Sequence, residues 1–353
     1  MTIRPTNRVF TLDQRSREAV LLPRLVELVA HHRAKSAPYA RILDALGSGG
    51  GVGTGLAGLP WLPVRLFKQH RLVSVDNADV FRTVVSSGTT GELSRIFLDK
   101  RAAAEQQRAV SDTLRAVLGT ERLPMLLVDT NALLDRSRPL SARGAGILGF
   151  MGLGRDHTFV LDEREQPNGA VVRDFLARHG GRPFLIFGFT FMVWIHLYEL
   201  ARDERMDLSN GILIHSGGWK RLTDRAVHNA QFRQCFAAYT GLTRIHNYYG
   251  MVEQLGTLYL EGPGGESLYC PDFADVIVRD PQTWAERPVG VPGVIEVIST
   301  LPFSYPGNVL LTEDLGVVHG IDDGDWPGKR FSVLGRVPAA EARGCSDTAR
   351  VDR

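Results

Sequence analysis

The apolar positions along this chain change period several times, and each change marks an element. Residues 13–46 place apolar side chains at three- and four-residue spacing, which predicts helix, with Pro23 as a break. From residue 79 onward short apolar runs alternate with longer amphipathic ones. DVFRTVV (79–85), SRIFLD (94–99), PMLLVDT (124–130), PFLIFG (183–188) and GILIHSGGWK (211–220) read as strands. So do RIHNYYG (244–250), VGVPGVIEVIST (289–300) and NVLLTEDLGVV (308–318). Helices are expected at 100–118, 190–202 and 221–238. The first has Asp99 as its cap, Val110, Leu114 and Val117 on its apolar face, and Gly119 at its end. Strands alternating with helices predict an α/β protein with a mixed sheet and flanking helices.

Two glycine-rich stretches formally match a dinucleotide fingerprint. One is Gly53-x-Gly55-x-x-Gly58 within 47–60, and the other is Gly144, Gly146 and Gly149 within RGAGILGFMGLG (143–154). Neither follows a strand pattern, so both are read as loops rather than cofactor sites. No repeat or low-complexity tract interrupts the chain.

Charge and cysteine content narrow the function. A formal net charge of +2 sets up no field that would gather nucleic acid. Nearly all positive charge is arginine; the lysines are Lys35, Lys68, Lys100, Lys220 and Lys329. Cys235, Cys270 and Cys345 are too few and too scattered for a disulfide framework, and no CxxC pair suggests zinc. Cys235 reads as core packing, and Cys270 has no evident role. The N-terminal residues lack the apolar core of a secretory signal. The most apolar segment, 183–200, contains Gly188 and breaks at His196, short of the roughly 20 apolar residues a membrane span needs. A cytoplasmic protein without a transmembrane segment is expected.

The stretch with the most evident chemistry is SSGTTG, Ser86-Ser87-Gly88-Thr89-Thr90-Gly91, between two predicted strands. Glycine lets backbone N–H groups turn inward, and small hydroxyl residues add donors, so such a loop suits phosphates. It is not a Walker loop, because Gly-Lys-Ser/Thr is absent and a strand follows. A plain Ser/Thr/Gly turn between strands is the alternative reading. Glu253 read singly is a surface acid, Tyr248 and Tyr249 are core aromatics, and Asp314 beside Glu313 is a turn acid. His196 and His215 read as packed histidines.

Taken in order, these pieces resemble the adenylate-forming superfamily of acyl-CoA synthetases, adenylation domains and luciferases. SSGTTG looks like its nucleotide loop, NYYGMVEQ (247–254) like its aromatic-Gly-x-Thr-Glu motif, LLTEDLG (310–316) like its Thr-x-Asp motif, and LGR (334–336) like its hinge. Within that superfamily the chain is similar to the LuxE-type acyl-protein synthetases. LPVRLFK (62–68), SARGAGILGF (141–150), FGFTFMVW (187–194), IHSGGWK (214–220) and GRVPAAEARGCSD (335–347) carry this, over roughly residues 60–347.

The resemblance implies activation of a carboxylic acid, most simply a fatty acid, by ATP and Mg²⁺. It implies that residues 86–91 with Arg95 hold the triphosphate, and that Glu253 binds the metal. Tyr249 and Gly250 would lie at the adenine, Asp314 at the ribose, and Arg336 at the hinge. Gly188, Phe189, Gly217 and Gly218 would border the acyl group. Three departures matter. Leu93-Ser94-Arg95 replaces the usual Pro-Lys, and Val252 replaces the motif threonine. The longer relatives carry a C-terminal lid domain of ~110 residues with a catalytic lysine. Here 17 residues follow Arg336 and no lysine follows Lys329, so the full lid is expected to be absent. Cys345 in RGC matches the family's acyl acceptor, and Arg343 and Arg336 are near enough in sequence to lower its thiol pKa.

The expected organisation is a helical region over 1–60, an adenylate-forming core over 61–334 and a tail over 335–353 that carries Cys345. The expected activity is acyl-AMP formation, transfer to Cys345, then transfer to a reductase, carrier protein or transferase, or to a small acceptor. Two alternatives stand beside it. One sends the acyl group directly to coenzyme A, a carrier-protein thiol or an amine; the other is a non-catalytic nucleotide-binding scaffold.

Overall fold

The computed structural model describes residues 9–47, 55–86, 93–135, 142–218 and 227–337. The chain opens with helices α1 (Gln14–Lys35) and α2 (Ala37–Ala45). The break expected at Pro23 does not occur there; α1 runs through it and ends at Ser36. Leu21 and Leu25, on either side of Pro23, are both buried with Ile277, Ile298 and Val309. That shared surface holds the two halves in line despite the lost hydrogen bond.

A short strand β1 (Leu62–Pro63) and helix α3 (Leu66–Gln69) follow. The strands β2 (Arg82–Val85) and β3 (Arg95–Leu98) form an antiparallel pair, so the hydroxyl-rich segment does join a hairpin. Helix α4 (Lys100–Leu118) begins where expected: the Asp99 carboxylate accepts from Ala102 N, and Gly119 closes the helix at φ 77°.

The parallel half of the sheet is built from β4 (Leu123–Thr130), β5 (Gly154–Leu161), β6 (Phe184–Phe189), β7 (Gly211–Ser216) and β8 (Arg244–Tyr249). Helix α5 (Ala142–Met151) joins β4 to β5, and α6 (Gly169–His179) joins β5 to β6. The segment around Gly144, Gly146 and Gly149 is thus helix, not loop. Its Ile147 and Phe150 bury against the sheet, and that burial outweighs the poor helix propensity of glycine. After β6 one continuous helical stretch comprises α7 (Thr190–Met192), a π-helical stretch (Val193–Tyr198) and α8 (Glu199–Asp203). Helix α9 (Asn229–Thr240) precedes β8; of the helix expected at 221–238, residues 221–226 lie outside the described residues.

The antiparallel half comprises β9 (Tyr259–Glu261), β10 (Leu268–Tyr269), β11 (Ala274–Arg279), β12 (Gly293–Ser299), β13 (Val309–Ile321) and β14 (Lys329–Arg336). Among the described residues the order is β11-β12-β13-β14-β10-β9-β8-β7-β6-β4-β5, with β1 beside β13. The direction changes at β8–β9, from parallel to antiparallel. One large core cluster fills the parallel half, from Met125 to Leu260, and a second packs Tyr39, Phe67, Ile96, Tyr259, Tyr305 and Phe331. No described helix is long and apolar enough to cross a membrane.

Candidate functional site

The ends of β8 and β14 and the middle of β13 bring three separate sequence motifs together. The Tyr249 hydroxyl donates to Asp314 Oδ2 at 2.7 Å. Asp314 and Arg336 are register partners across β13 and β14, with Arg336 Nε 3.6 Å from Asp314 Oδ1. Burial first, and then the Asp314 charge, push the Tyr249 phenol well above its ordinary pKa. It therefore stays protonated and remains a donor. Thr312 shapes the approach to Asp314. Its hydroxyl accepts from Asp314 N at 3.1 Å and donates to Ile295 O at 2.7 Å.

Past Tyr249 the chain makes a tight turn. A Cβ on Gly250 would sit 3.2 Å from Thr257 O, so the backbone there approaches its neighbour closely. Glu253 follows in a 3-10 turn, Val252–Gln254, and is 5% exposed. Its carboxylate makes no hydrogen bond or ion pair with the described residues. The turn is held from beneath: Gln254 Nε2 donates to Gly307 O at 3.0 Å, and Leu255 N donates to the Tyr305 hydroxyl at 3.2 Å. Gly256, at φ 86°, packs on Gln106 of α4.

The β2–β3 hairpin packs on the same core as this turn. Val84 of β2 packs against the same core cluster as Tyr249, Met251 and Val252. At the hairpin's end Ser86 N donates to Ser94 O at 3.0 Å, and Ser94 N donates to Ser86 Oγ at 3.0 Å. Arg95 pairs with Val85 in register and is exposed. Ser87, Gly88, Thr89, Thr90 and Gly91 lie outside the described residues, as does Cys345.

The expected acyl-side residues separate into two groups. Gly188 is a packing position: a Cβ there would come within 2.8 Å of Val128 and Val193. Phe189 faces the other side of the sheet, where a Cβ on Gly146 would lie 3.6 Å from its ring and one on Gly217 3.8 Å. Gly217 adopts φ 87°, and a Cβ on Gly218 would meet nothing among the described residues.

Sequence reading missed a polar row on the Gly188 side. His215, Asn247 and Glu261 are neighbours on β7, β8 and β9. The Glu261 carboxylate accepts from Asn247 N at 3.0 Å, from Asn229 Nδ2 at 2.5 Å and from Arg233 Nη1 at 3.2 Å. Burial nonetheless pushes Glu261 up to about 7. His215 Nδ1 meets Thr190 Oγ1 at 2.9 Å, and burial lowers His215 to about 3. Nothing in the alternation of β9 marks Glu261 as buried, because its strand is short and paired on both sides.

Among the described residues no three His, Cys, Asp or Glu gather as a metal set. A buried carboxylate with free oxygens still suits a cation bound mainly through a nucleotide's phosphates, as magnesium commonly is.

Comparison with known proteins decides the family. The model of the LuxE acyl-protein synthetases matches residues 9–351. The chain belongs to the LuxE family. It is therefore a ligase that forms an acyl-adenylate with ATP and passes the acyl group to a partner. Two LuxE-like relatives are long-chain-fatty-acid–luciferin-component ligases. That of Vibrio harveyi is 24% identical over 323 residues, covering 90% of this chain and 83% of the relative. That of Aliivibrio fischeri is 22% identical, covering 82% and 77%.

Solved structures agree on the fold of this LuxE member. A 2-hydroxyisobutyryl-CoA ligase in its postadenylation state superposes with a TM-score of 0.69 at 16% identity, over 96% of this chain and 72% of that one. MatB from Rhodopseudomonas palustris with ATP bound gives 0.51 at 18% identity, over 74% and 49%. The α/β fold expected from the sequence is thus that of adenylate-forming ligases.

Proposed function

We propose that this LuxE member joins a carboxylic acid to AMP at the C-terminal edge of β6 to β8, then moves the acyl group to Cys345. The observation that carries the reading is the meeting of Tyr249, Asp314 and Arg336, which are 65 and 87 positions apart from Tyr249 in sequence. Three motifs that resemble one nucleotide site in sequence supply one cluster in space, joined by a hydrogen bond and an ion pair.

In this reading Asp314 accepts from the ribose hydroxyls, a role its unshared acceptor capacity permits. Tyr249 orients Asp314, and with Gly250 borders the base. Ser86 and the loop through Gly91 hold the triphosphate with Arg95. Magnesium bound with the nucleotide would neutralise phosphate charge, and Glu253 is the residue that would hold it. The acid's carboxylate is already a nucleophile at neutral pH. Its oxygen bonds to the α-phosphorus and pyrophosphate leaves, so the site offsets charge rather than removing a proton. The Cys345 thiolate then attacks the acyl carbon and AMP leaves, giving a thioester that remains reactive toward an acceptor protein. Phe189, Gly217 and Gly218 border the acyl group.

ATP–pyrophosphate exchange across a panel of carboxylic acids tests the first step. Exchange with at least one acid supports it, and ATP binding without exchange favours a scaffold. Cys345→Ser tests the second step. Exchange should persist while labelled acyl-enzyme disappears; label that survives the substitution places the acceptor elsewhere.

A further inference from the structure

Helix α4 buries one face, and one residue on that face is out of character. Ala102, Gln106 and Ala109 recur at four- and three-residue spacing and are all buried. The two alanines are small and apolar. Gln106 is long and polar, and only 5% of it is exposed. Its Nε2 is buried and has no hydrogen-bond partner among the described residues. A buried donor left unpaired weakens a fold, so a chain that keeps one calls for a reason.

The neighbours of Gln106 point to that reason. Gly256 is pressed against it: a Cβ there would lie 2.8 Å from Gln106 Cα and Cβ. Gly256 follows directly on the turn Val252–Gln254 that carries Glu253. Tyr305 borders the same turn. It is fully buried, with its ring edge-on to Phe67 at 6.1 Å and 82°. A Cβ on Gly307 would strike both the Tyr305 ring at Cε2 and the Glu253 carbonyl oxygen, so ring and turn are close neighbours. The Tyr305 hydroxyl accepts from Leu255 N at 3.2 Å, and no described group accepts its own proton. Burial pushes this phenol up, the Glu253 charge adds to the effect, and the Gln106 amide beside it acts the opposite way. One hydroxyl is thus within reach of both Gln106 and Glu253. Two buried groups with donors to spare stand at the turn whose buried carboxylate has no described partner.

A carboxylate that holds a metal is oriented by donors to its remaining oxygen. Resting on the metal reading of Glu253 above, we propose that Gln106 is a positioning residue for that carboxylate. In the loaded site the Gln106 amide N–H, together with the Tyr305 hydroxyl, donates to one Glu253 oxygen and leaves the other for the cation. The donor is unpaired in the empty site because its acceptor is fixed only when the nucleotide arrives.

The test measures ATP binding to the full chain without any acid, in a magnesium titration and again in EDTA. Gln106→Met keeps the length of the side chain and removes the donor. It should raise the magnesium concentration for half-maximal tightening of ATP by about tenfold, the usual loss when the partner of a metal ligand is removed. The Kd for metal-free ATP should not change. The melting temperature without nucleotide should hold or rise, because an apolar side chain replaces an unpaired buried amide; a packing role for Gln106 predicts a fall. Tyr305→Phe should move the magnesium dependence in the same direction. A shift with Glu253→Gln, but none with Gln106→Met or Tyr305→Phe, overturns the inference and leaves the adenylation and metal readings standing. No shift with Glu253→Gln overturns the metal reading and the inference with it.

Discussion

Asp314 lies between two donors, the Tyr249 phenol at 2.7 Å and the Arg336 guanidinium at 3.6 Å. Hydrogen bonds to a charged group contribute ~1.5–3 kcal/mol, and removing the acceptor also strands its partners. Asp314→Ala should therefore raise the KM for ATP in pyrophosphate exchange by roughly ten- to a hundredfold. Tyr249→Phe, which keeps the ring and the carboxylate, should cost much less; equal losses would argue against Asp314 as the ribose acceptor. Glu253 has a different role, because the residue is buried while no hydrogen bond or ion pair to the described residues occupies its carboxylate. Glu253→Gln is nearly isosteric and should raise the magnesium concentration needed for half-maximal exchange. An unchanged magnesium dependence would remove Glu253 from the metal site.

At the scale of elements, the turn that carries Glu253 depends on α4. Gly256 combines φ 86° with a contact to Gln106 in which an added Cβ would come within 2.8 Å of the helix backbone. Gly256→Ala should destabilise the fold by ~1–3 kcal/mol through overpacking alone, and thermal denaturation reads that directly. The same contact explains what was legible in the sequence. Helix α4 has a cap, an apolar face and a terminal glycine, all local signals, and its bounds came out at 100–118 as expected. The hairpin around Ser86 was legible for the same reason. Helix α5 was not: Gly144, Gly146 and Gly149 argue locally for a loop, and only the burial of Ile147 and Phe150 against a sheet made of other segments overrides them. Pro23 misled in the same way. The cluster of Tyr249, Asp314 and Arg336 was legible as motifs but not as a contact, and the stacking of Phe150 on Phe187 and Tyr248 was not legible at all. Stacking of a helix residue on β6 and β8 leaves no trace in the periodicity of either strand.

At the scale of the molecule, buried titratable groups link stability to pH. Burial lowers His32 and His215 to about 3 and His196 to about 4, so the folded chain refuses protons that the unfolded chain takes up below about 6.5. Burial raises Glu261 and Glu296 to about 7, which acts in the opposite sense between about 4.5 and 7. Burial also lowers His31, His246 and His319 and raises Asp129, so the histidines outnumber the carboxylates and unfolding takes up protons below about 6. Stability should be nearly flat around neutrality and fall as pH drops below 6. A melting temperature that rises from pH 7 to pH 5 would contradict this. The last described residue adds a constraint of another kind. Val337 N donates to Glu313 O at 2.9 Å, which pins the chain beside Asp314. Seven residues lie between Val337 and Cys345, so covalent geometry keeps the Cα of Cys345 within at most about 29 Å of that pin. A covalent connection that short makes a reaction between the two an intramolecular one, whatever the protein concentration. Loading of Cys345 should therefore be first-order in enzyme, with a half-time that does not lengthen on dilution.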